Sequence, residues 1–148
     1  LTLPPISDNR LVAEEIWDDP LAFVAGKDHV LAQKAYIHLS DLTAHPAILP
    51  SLNTFTRQIA AELFQKAGLN LNVTMTTNYL ETIRMMVSIG LGWSVLPASM
   101  ANEEMVILPL HRVDMHRTLG VVYHPRRTLS RAAGAMLAIL HGQQEKLK

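Results

Sequence analysis

The feature that most constrains this sequence is the alternation of strand and helix patterns between residues 47 and 97. A short apolar run at residues 47–50 precedes apolar residues at helical spacing over residues 56–67. Apolar and polar residues then alternate at 71–76, which predicts a strand, and a second helical pattern follows as far as Gly90. This order predicts an α/β domain with a largely parallel sheet and right-handed crossovers.

Further strands are predicted on both sides of this central part. Residues 11–17 and 20–25 indicate two extended segments, which the Asp-Asp-Pro sequence at 18–20 interrupts. Strands are also predicted at residues 92–97, 105–108 and 118–123. A closing helix is predicted from Ser130, a suitable N-cap, toward residue 147.

The starts of the two central helices carry capping signals. Thr54 or Thr56 is placed to accept a hydrogen bond from the first amides of the helix at 56–67. Asn78 followed by Glu81 resembles a capping box, with Asn in place of Ser or Thr. The side chains predicted to face the core from the first of these helices are Phe55, Ile59, Leu63, Phe64 and Ala67.

The composition excludes several classes of protein. With 49% hydrophobic and 18% charged residues, the chain is globular rather than disordered. No apolar run approaches the ~20 residues that cross a bilayer. Cysteine is absent, which excludes disulfides, Cys-ligated metal sites and thiol nucleophiles and fits a cytoplasmic location. Because the sequence lacks both an initiator Met and a signal-like start, we expect a piece of a longer protein.

Polar residues follow the predicted strands at the places where α/β sheets bind ligands, beside helix N-termini. The segment SLNTFTR at 51–57 is the richest of these places. Free backbone amides and the positive end of a helix there would favour a carboxylate or another anion. Ordinary capping with Phe55 packed as a staple explains the same residues, so local sequence leaves both interpretations open. The candidate binding residues at the strand ends are Asn53, Thr54, Phe55, Thr56, Asn78, Leu96 and Pro97.

Catalytic, metal and cofactor signatures are weak throughout the sequence. His111, Asp114 and His116 lie close together, but their spacing matches no zinc pair on a helix and nothing nearby completes a coordination shell. No Gly-x-Ser-x-Gly elbow and no Walker-type loop is present. Gly90-Leu-Gly92 precedes a predicted strand, whereas a dinucleotide fingerprint must follow one. The sequence therefore predicts no catalytic residue, no metal and no cofactor.

An ordered set of motifs resembles the effector-binding domain of LysR-type transcriptional regulators. The set comprises WDDPLAFV at 17–24, DHVLA at 28–32, LSDL at 39–42, ILP at 48–50, Thr56-Arg57 with Phe64 and Ala67-Gly68, ETIRMMV at 81–87 with GLG at 90–92 and LP at 96–97, and LSRAA at 129–133. The stretch from 81 to 97 is the most specific. Three positions depart from the family: Val30 replaces a usual proline, Trp93 a smaller aliphatic residue, and Phe55 a hydroxyl found in some relatives. The last change favours a partly apolar effector over a sulfate-like one.

The resemblance implies a fold similar to type 2 periplasmic binding proteins, with two α/β subdomains joined by two crossover strands. Residues 1–8 would be the end of the first effector subdomain and a hinge. Residues 9–124 would be the second subdomain, with a mixed or parallel sheet flanked by helices. Residues 125–148 would be the return segment and closing helix toward the first subdomain. The family's winged helix-turn-helix has no counterpart here, so DNA would be bound only through a missing N-terminal domain.

The resemblance further implies a non-enzymatic sensor that binds a small, anionic organic effector in the cleft between subdomains. The candidate residues named above would be this chain's share of that site. No membrane contact is expected, and the intact protein would be a homo-oligomer, a dimer or a tetramer. The helix at 56–67 would pack on a neighbouring subunit, and the apolar face of the closing helix would lack its cover.

Two other functions are compatible with such a fold. A solute-binding protein that serves a transporter is the alternative, and it would need a secretion signal. A small α/β enzyme, such as a dehydratase, would need an acid–base pair at the strand ends, where the sequence offers only His45 just before a strand.

Overall fold

The protein is described here from a computed structural model, which covers residues 2–3, 8–111 and 113–146, with side chains as far as residue 143. The strands are β1 (Val12–Gly26), β2 (Ala47–Leu49), β3 (Val73–Thr76), β4 (Trp93–Pro97), β5 (Met105–Ile107) and β6 (His116–Tyr123). The helices are α1 (Leu39–Thr43), α2 (Phe55–Lys66), α3 (Leu80–Ser88) and α4 (Arg131–Lys146), with short 3₁₀ turns at Val30–Gln33 and Ala98–Met100.

The described strands form one mixed sheet. Its order is β3-β2-β4-β1-β5, and β6 pairs with β1. Strand β2 runs parallel to β3 and to β4, whereas β1 runs antiparallel to β4 and to β5. The predicted α/β class with a mixed sheet is confirmed, and its parallel part is the strand–helix–strand region that showed the alternation.

The predicted break at Asp18-Asp19-Pro20 is wrong, because β1 continues through it as a single strand of 15 residues. Pro20 is exposed, and the recorded pairs between β1 and β4 begin at Leu21. The missing N–H of the proline therefore costs no hydrogen bond to β4, which is the condition under which a strand tolerates proline.

The chain divides by its internal contacts into two compact units. Unit 1 consists of Leu1–Asp19 with Arg117–Lys148, and unit 2 is Pro20–His116. Both bounds fall inside strands, so β1 and β6 each pass from one unit into the other. The divisions at 8/9 and 124/125 that the family resemblance implied remain a prediction about subdomains.

Unit 2 has a core on each face of its sheet, because alternate strand residues point to opposite sides. The first cluster holds Phe23, Trp93 and Val95 with Ala60 and Phe64 of α2. The second cluster contains Val24, Ile48, Leu96 and Met105 with Ile83 and Val87 of α3. Helices α2 and α3 therefore cover opposite faces of the sheet and hold its strands in place between them.

Helix α2 uses its apolar side chains for this core rather than for an outer surface. It buries Thr56, Ala60 and Phe64, and Ile59 and Leu63 pack against the same cluster. The exposed positions of the helix are the polar Gln58, Glu62, Gln65 and Lys66. The apolar side chains of α2 are therefore covered within unit 2, and its packing on a neighbouring subunit stays a prediction.

The closing helix α4 belongs to unit 1. Ser130 caps it as predicted, because its Oγ accepts a hydrogen bond from the N–H of Ala133 at 3.1 Å. Leu137 and Leu140 are half-buried, whereas Met136 and Ile139 remain 57% and 60% exposed. The predicted apolar face is therefore only partly covered.

A carboxylate joins three elements of unit 1. Glu14 of β1 accepts a hydrogen bond from the hydroxyl of Tyr123 on β6. Its second oxygen lies 2.7 Å from Nε2 of His141 on α4. The hydrogen bond from Tyr123, followed by that from His141, lowers the pKa of Glu14 below its ordinary 4.5, and the bond to Glu14 raises the pKa of Tyr123.

We expect this cluster to make unit 1 less stable in acid. The pKa of Glu14 is lower in the folded state, so its contribution is complete above the unfolded pKa and is lost as pH falls through the folded pKa. Glu14→Gln should therefore destabilise the protein at neutral pH, and its difference from wild type should shrink as the solution is acidified. Urea unfolding at a series of pH values measures this. The exposed Glu103→Gln is the control, and a difference that stays constant with pH would contradict the assignment.

Candidate functional site

The loops that follow β2 and β3 are tied together at one edge of the sheet. The Oδ1 atom of Asn78 accepts a hydrogen bond from the backbone N–H of Ser51 at 2.9 Å. Because β2 and β3 are parallel neighbours, their carboxyl ends lie at the same edge, which is where such sheets bind ligands. The structure thus places Asn78 beside the segment 51–57.

The predicted capping box at Asn78 is wrong. Helix α3 begins at Leu80, and its N-cap Tyr79 makes no side-chain capping bond. The amide group of Asn78 is engaged with Ser51 instead, 27 residues away in sequence. A local spacing rule could not anticipate this partner.

Thr54 is the residue that caps α2. Its Oγ1 accepts from the N–H of Arg57 at 3.4 Å and donates to the carbonyl oxygen of Ser51 at 2.8 Å. The side chain of Thr56 is buried instead, with 4% of the residue exposed. In the described part of the chain, the N–H groups of Phe55 and Thr56 have no hydrogen-bond acceptor. These are the free amides that the helix start was predicted to offer.

We expect Thr54→Ala to lower the free energy of unfolding by about 1 kcal/mol, because the capped amide of α2 loses its acceptor. The exposed Thr128→Ala serves as the matched control and should change stability little. Urea unfolding followed by circular dichroism measures both variants. Equal stability of the Thr54 variant and wild type would show that the long 3.4 Å bond does not cap the helix.

The remaining candidate residues differ in accessibility. Asn53 is exposed and Phe55 half-buried at the start of α2. Pro97 ends β4, which runs parallel to β2, so it lies at the same edge of the sheet, although it is buried. Leu96 is fully buried in the cluster with Ile83 and Val87. Its side chain therefore supports the sheet edge by packing in the core rather than by lying at the surface.

Arg57 is a polar residue of this region that was left out of the candidate set. It lies in the first turn of α2, and its Nε and Nη1 atoms are shielded from water with no hydrogen-bond partner. Burial lowers the pKa of this guanidinium. Its place in the segment 51–57 was the available sequence signal, but nothing in the pattern showed that two of its nitrogen atoms would be shielded from water.

A metal centre is not supported by the described residues, which bring together no group of three or more potential ligands. The side chains of Asp114 and His116 form a hydrogen bond with each other. Among the described helices, none combines the length and the apolar character that a membrane span requires.

Comparisons with known proteins agree on one family. The family model described as "LysR substrate binding domain" matches residues 1–145. The RuBisCO operon transcriptional regulator of Acidithiobacillus ferrooxidans is 32% identical over 141 residues, which are 92% of this chain and 46% of that protein. The transcriptional dual regulator OxyR of Escherichia coli is 27% identical over 141 residues, covering 89% of this chain and 46% of that protein. The chain thus spans about half the length of these relatives.

Solved structures show the same fold. The regulatory domain of CcmR from Synechocystis PCC6803, in complex with 2-PG, has a TM-score of 0.82 at 25% identity, covering 97% of this chain and 71% of that one. The effector binding domain of QuiR, in complex with shikimate, has a TM-score of 0.79 at 18% identity, covering 95% and 68%.

Proposed function

Since the chain belongs to the family of LysR substrate binding domains, we propose that it senses a small organic effector for a bacterial transcriptional regulator. The regulator would bind DNA through a domain outside this chain, act in the cytoplasm and assemble as a homo-oligomer. We also propose the subdomain divisions at 8/9 and 124/125. The proposed role is non-catalytic, which is supported by relatives that are transcriptional regulators.

The observation that carries this proposal is the hydrogen bond between Asn78 and Ser51. It holds the loop after β3 against the loop before α2, so that the loops from two strand ends meet at one place. The proposed effector site consists of Asn53, Thr54, Phe55, Thr56, Asn78 and Pro97, with Leu96 as support. The free amides of Phe55 and Thr56 favour a negatively charged group of the effector, and the Phe55 ring favours a partly apolar body.

The regulatory domain of CcmR, which is 25% identical to this chain, was solved in complex with 2-PG. This complex supports a small organic ligand. A transporter-associated solute-binding protein remains the less favoured function, because the matched relatives are regulators. No cofactor or metal is part of the proposal.

Calorimetric titration of the 148-residue chain with small organic acids, including 2-PG and shikimate, tests the proposal. We expect saturable but weak binding, with a dissociation constant no better than about 1 mM, or about −4 kcal/mol. The reason is that this chain spans 71% of the CcmR regulatory domain, so the pocket would keep only part of its wall. Micromolar affinity would contradict this one-wall arrangement, and no binding to any acid would contradict the effector site.

A further inference from the structure

We infer that Arg57 binds the negatively charged group of the effector, a carboxylate or a phosphate, through its guanidinium. The inference rests on the proposed function and adds to it the residue that selects charge. Arg57 is the third residue of α2, directly after the free amides of Phe55 and Thr56. Cation and amides therefore belong to the same helical turn.

The hydrogen bonding of Arg57 differs from that of the paired arginines of the chain. Arg10, Arg84 and Arg117 each form an ion pair with an aspartate or a glutamate. Arg57 forms no ion pair with a described residue, although its Nε and Nη1 are removed from water. Two buried donors on a charged group without an acceptor are costly, since both the desolvation and the unmade hydrogen bonds count against folding.

An acceptor supplied from outside the chain reduces this cost. The guanidinium is planar, and each of its edges, Nε with Nη2 or Nη1 with Nη2, presents a pair of N–H groups that matches the two oxygens of a carboxylate or a phosphate. Neighbouring amides at the start of α2 add donors of the same kind. A neutral ligand would leave the charge of Arg57 uncompensated, so this residue should discriminate acids from their neutral analogues.

A simpler role for Arg57 would be packing, with its methylene stem lying along the helix and Nη2 reaching water. The two roles predict different responses to anions. As a packing residue, Arg57 should be replaceable by Met without any change in anion dependence. As an anion ligand, it should make the protein more stable when a suitable anion is present.

The test compares wild type, Arg57→Met, Arg57→Lys and the control Arg84→Met, whose arginine is half-buried and paired with Glu81. Thermal unfolding is measured in acetate, in inorganic phosphate and in chloride at equal ionic strength. We expect acetate or phosphate to stabilise wild type and Arg84→Met relative to chloride. The anion that gives the larger increase in melting temperature shows whether the site prefers a carboxylate or a phosphate. Arg57→Met should lose this anion-specific increase, and Arg57→Lys should keep part of it. An equal increase in Arg57→Met and wild type, or no increase in wild type, would overturn the inference.

Binding of shikimate or 2-PG to the same variants separates this inference from the proposed function. We expect Arg57→Met to bind the acid at least about tenfold more weakly than wild type, the size of one charged hydrogen bond. If both bind equally, Arg57 is not the anion ligand, although the effector site stands. If wild type itself binds no acid, the proposed function fails.

Discussion

Replacing Trp93 by alanine is expected to lower the free energy of unfolding by about 3–5 kcal/mol, the range for removing a buried large aromatic side chain. Trp93 is fully buried and stacks on Phe64 with ring centroids 5.7 Å apart and planes 6° apart. Its ring also lies 5.6 Å from that of Phe23. The substitution would open a cavity where β1, β4 and α2 meet.

The indole of Trp93 has a second role, which a phenylalanine variant isolates. Its Nε1–H lies 3.0 Å from the carbonyl oxygen of Leu42 and 3.1 Å from that of His45, and so joins the core to α1 and to the segment that follows it. Trp93→Phe keeps most of the stacking and loses these hydrogen bonds, so it should cost about 1–3 kcal/mol. Urea unfolding of both variants gives the two contributions. If the alanine variant cost no more than the phenylalanine variant, the stacked rings would not be the main source of stability.

The second large effect is expected from Gly92→Ala. A Cβ atom at residue 92 would lie 2.3 Å from the carbonyl oxygen of Pro46, a distance that requires the backbone to move. The same oxygen accepts the N–H of Trp93 at 3.0 Å, next to the pair that Ala47 and Trp93 form between β2 and β4. We expect a loss of about 3 kcal/mol, at the upper end of the cost of overpacking.

Gly134→Ala is the matched control for this prediction. Nothing lies within 4 Å of a Cβ atom placed there, and the residue is within α4. Alanine is the better helix former, so this variant should gain about 0.5–1 kcal/mol. Chemical unfolding of the two alanine variants measures the expected loss and the expected gain in the free energy of unfolding. A Gly92 variant as stable as wild type would show that β2 and β4 separate at little cost.

The sequence predicted those features of the fold that depend on local periodicity. The strands β2, β3 and β4 and the helices α2 and α3 were expected close to their observed bounds. The two helices bury residues at helical spacing, and β2 and β4 are short runs that are buried throughout. The continuity of β1 through Pro20 was missed. Whether a proline interrupts a strand depends on which hydrogen bonds the partner strand needs, and a single sequence does not show the partner.

The candidate site was predicted only in part, for the same reason. Its place at the strand ends follows from the alternation of elements, and Thr54 was one of two residues expected to cap α2. The pairing of Asn78 with Ser51 and the burial of Arg57 depend on contacts between distant parts of the chain. A polar residue looks the same in sequence whether it caps a helix, ties two loops together or awaits a ligand.

The most direct test of the effector site is a nuclear magnetic resonance titration of the isotopically labelled 148-residue chain with shikimate or 2-PG. We expect chemical-shift changes at millimolar ligand concentrations. These changes should be largest for the backbone amides of residues 53–57 and 77–79 and of Ala98, just after Pro97. Amides in the exposed, polar turns of α2 near Gln65 should stay unchanged and serve as the internal reference. Saturable chemical-shift changes that concentrate elsewhere would contradict the assignment of this sheet edge as the effector site. The absence of any change up to the solubility limit of the ligand would contradict it as well.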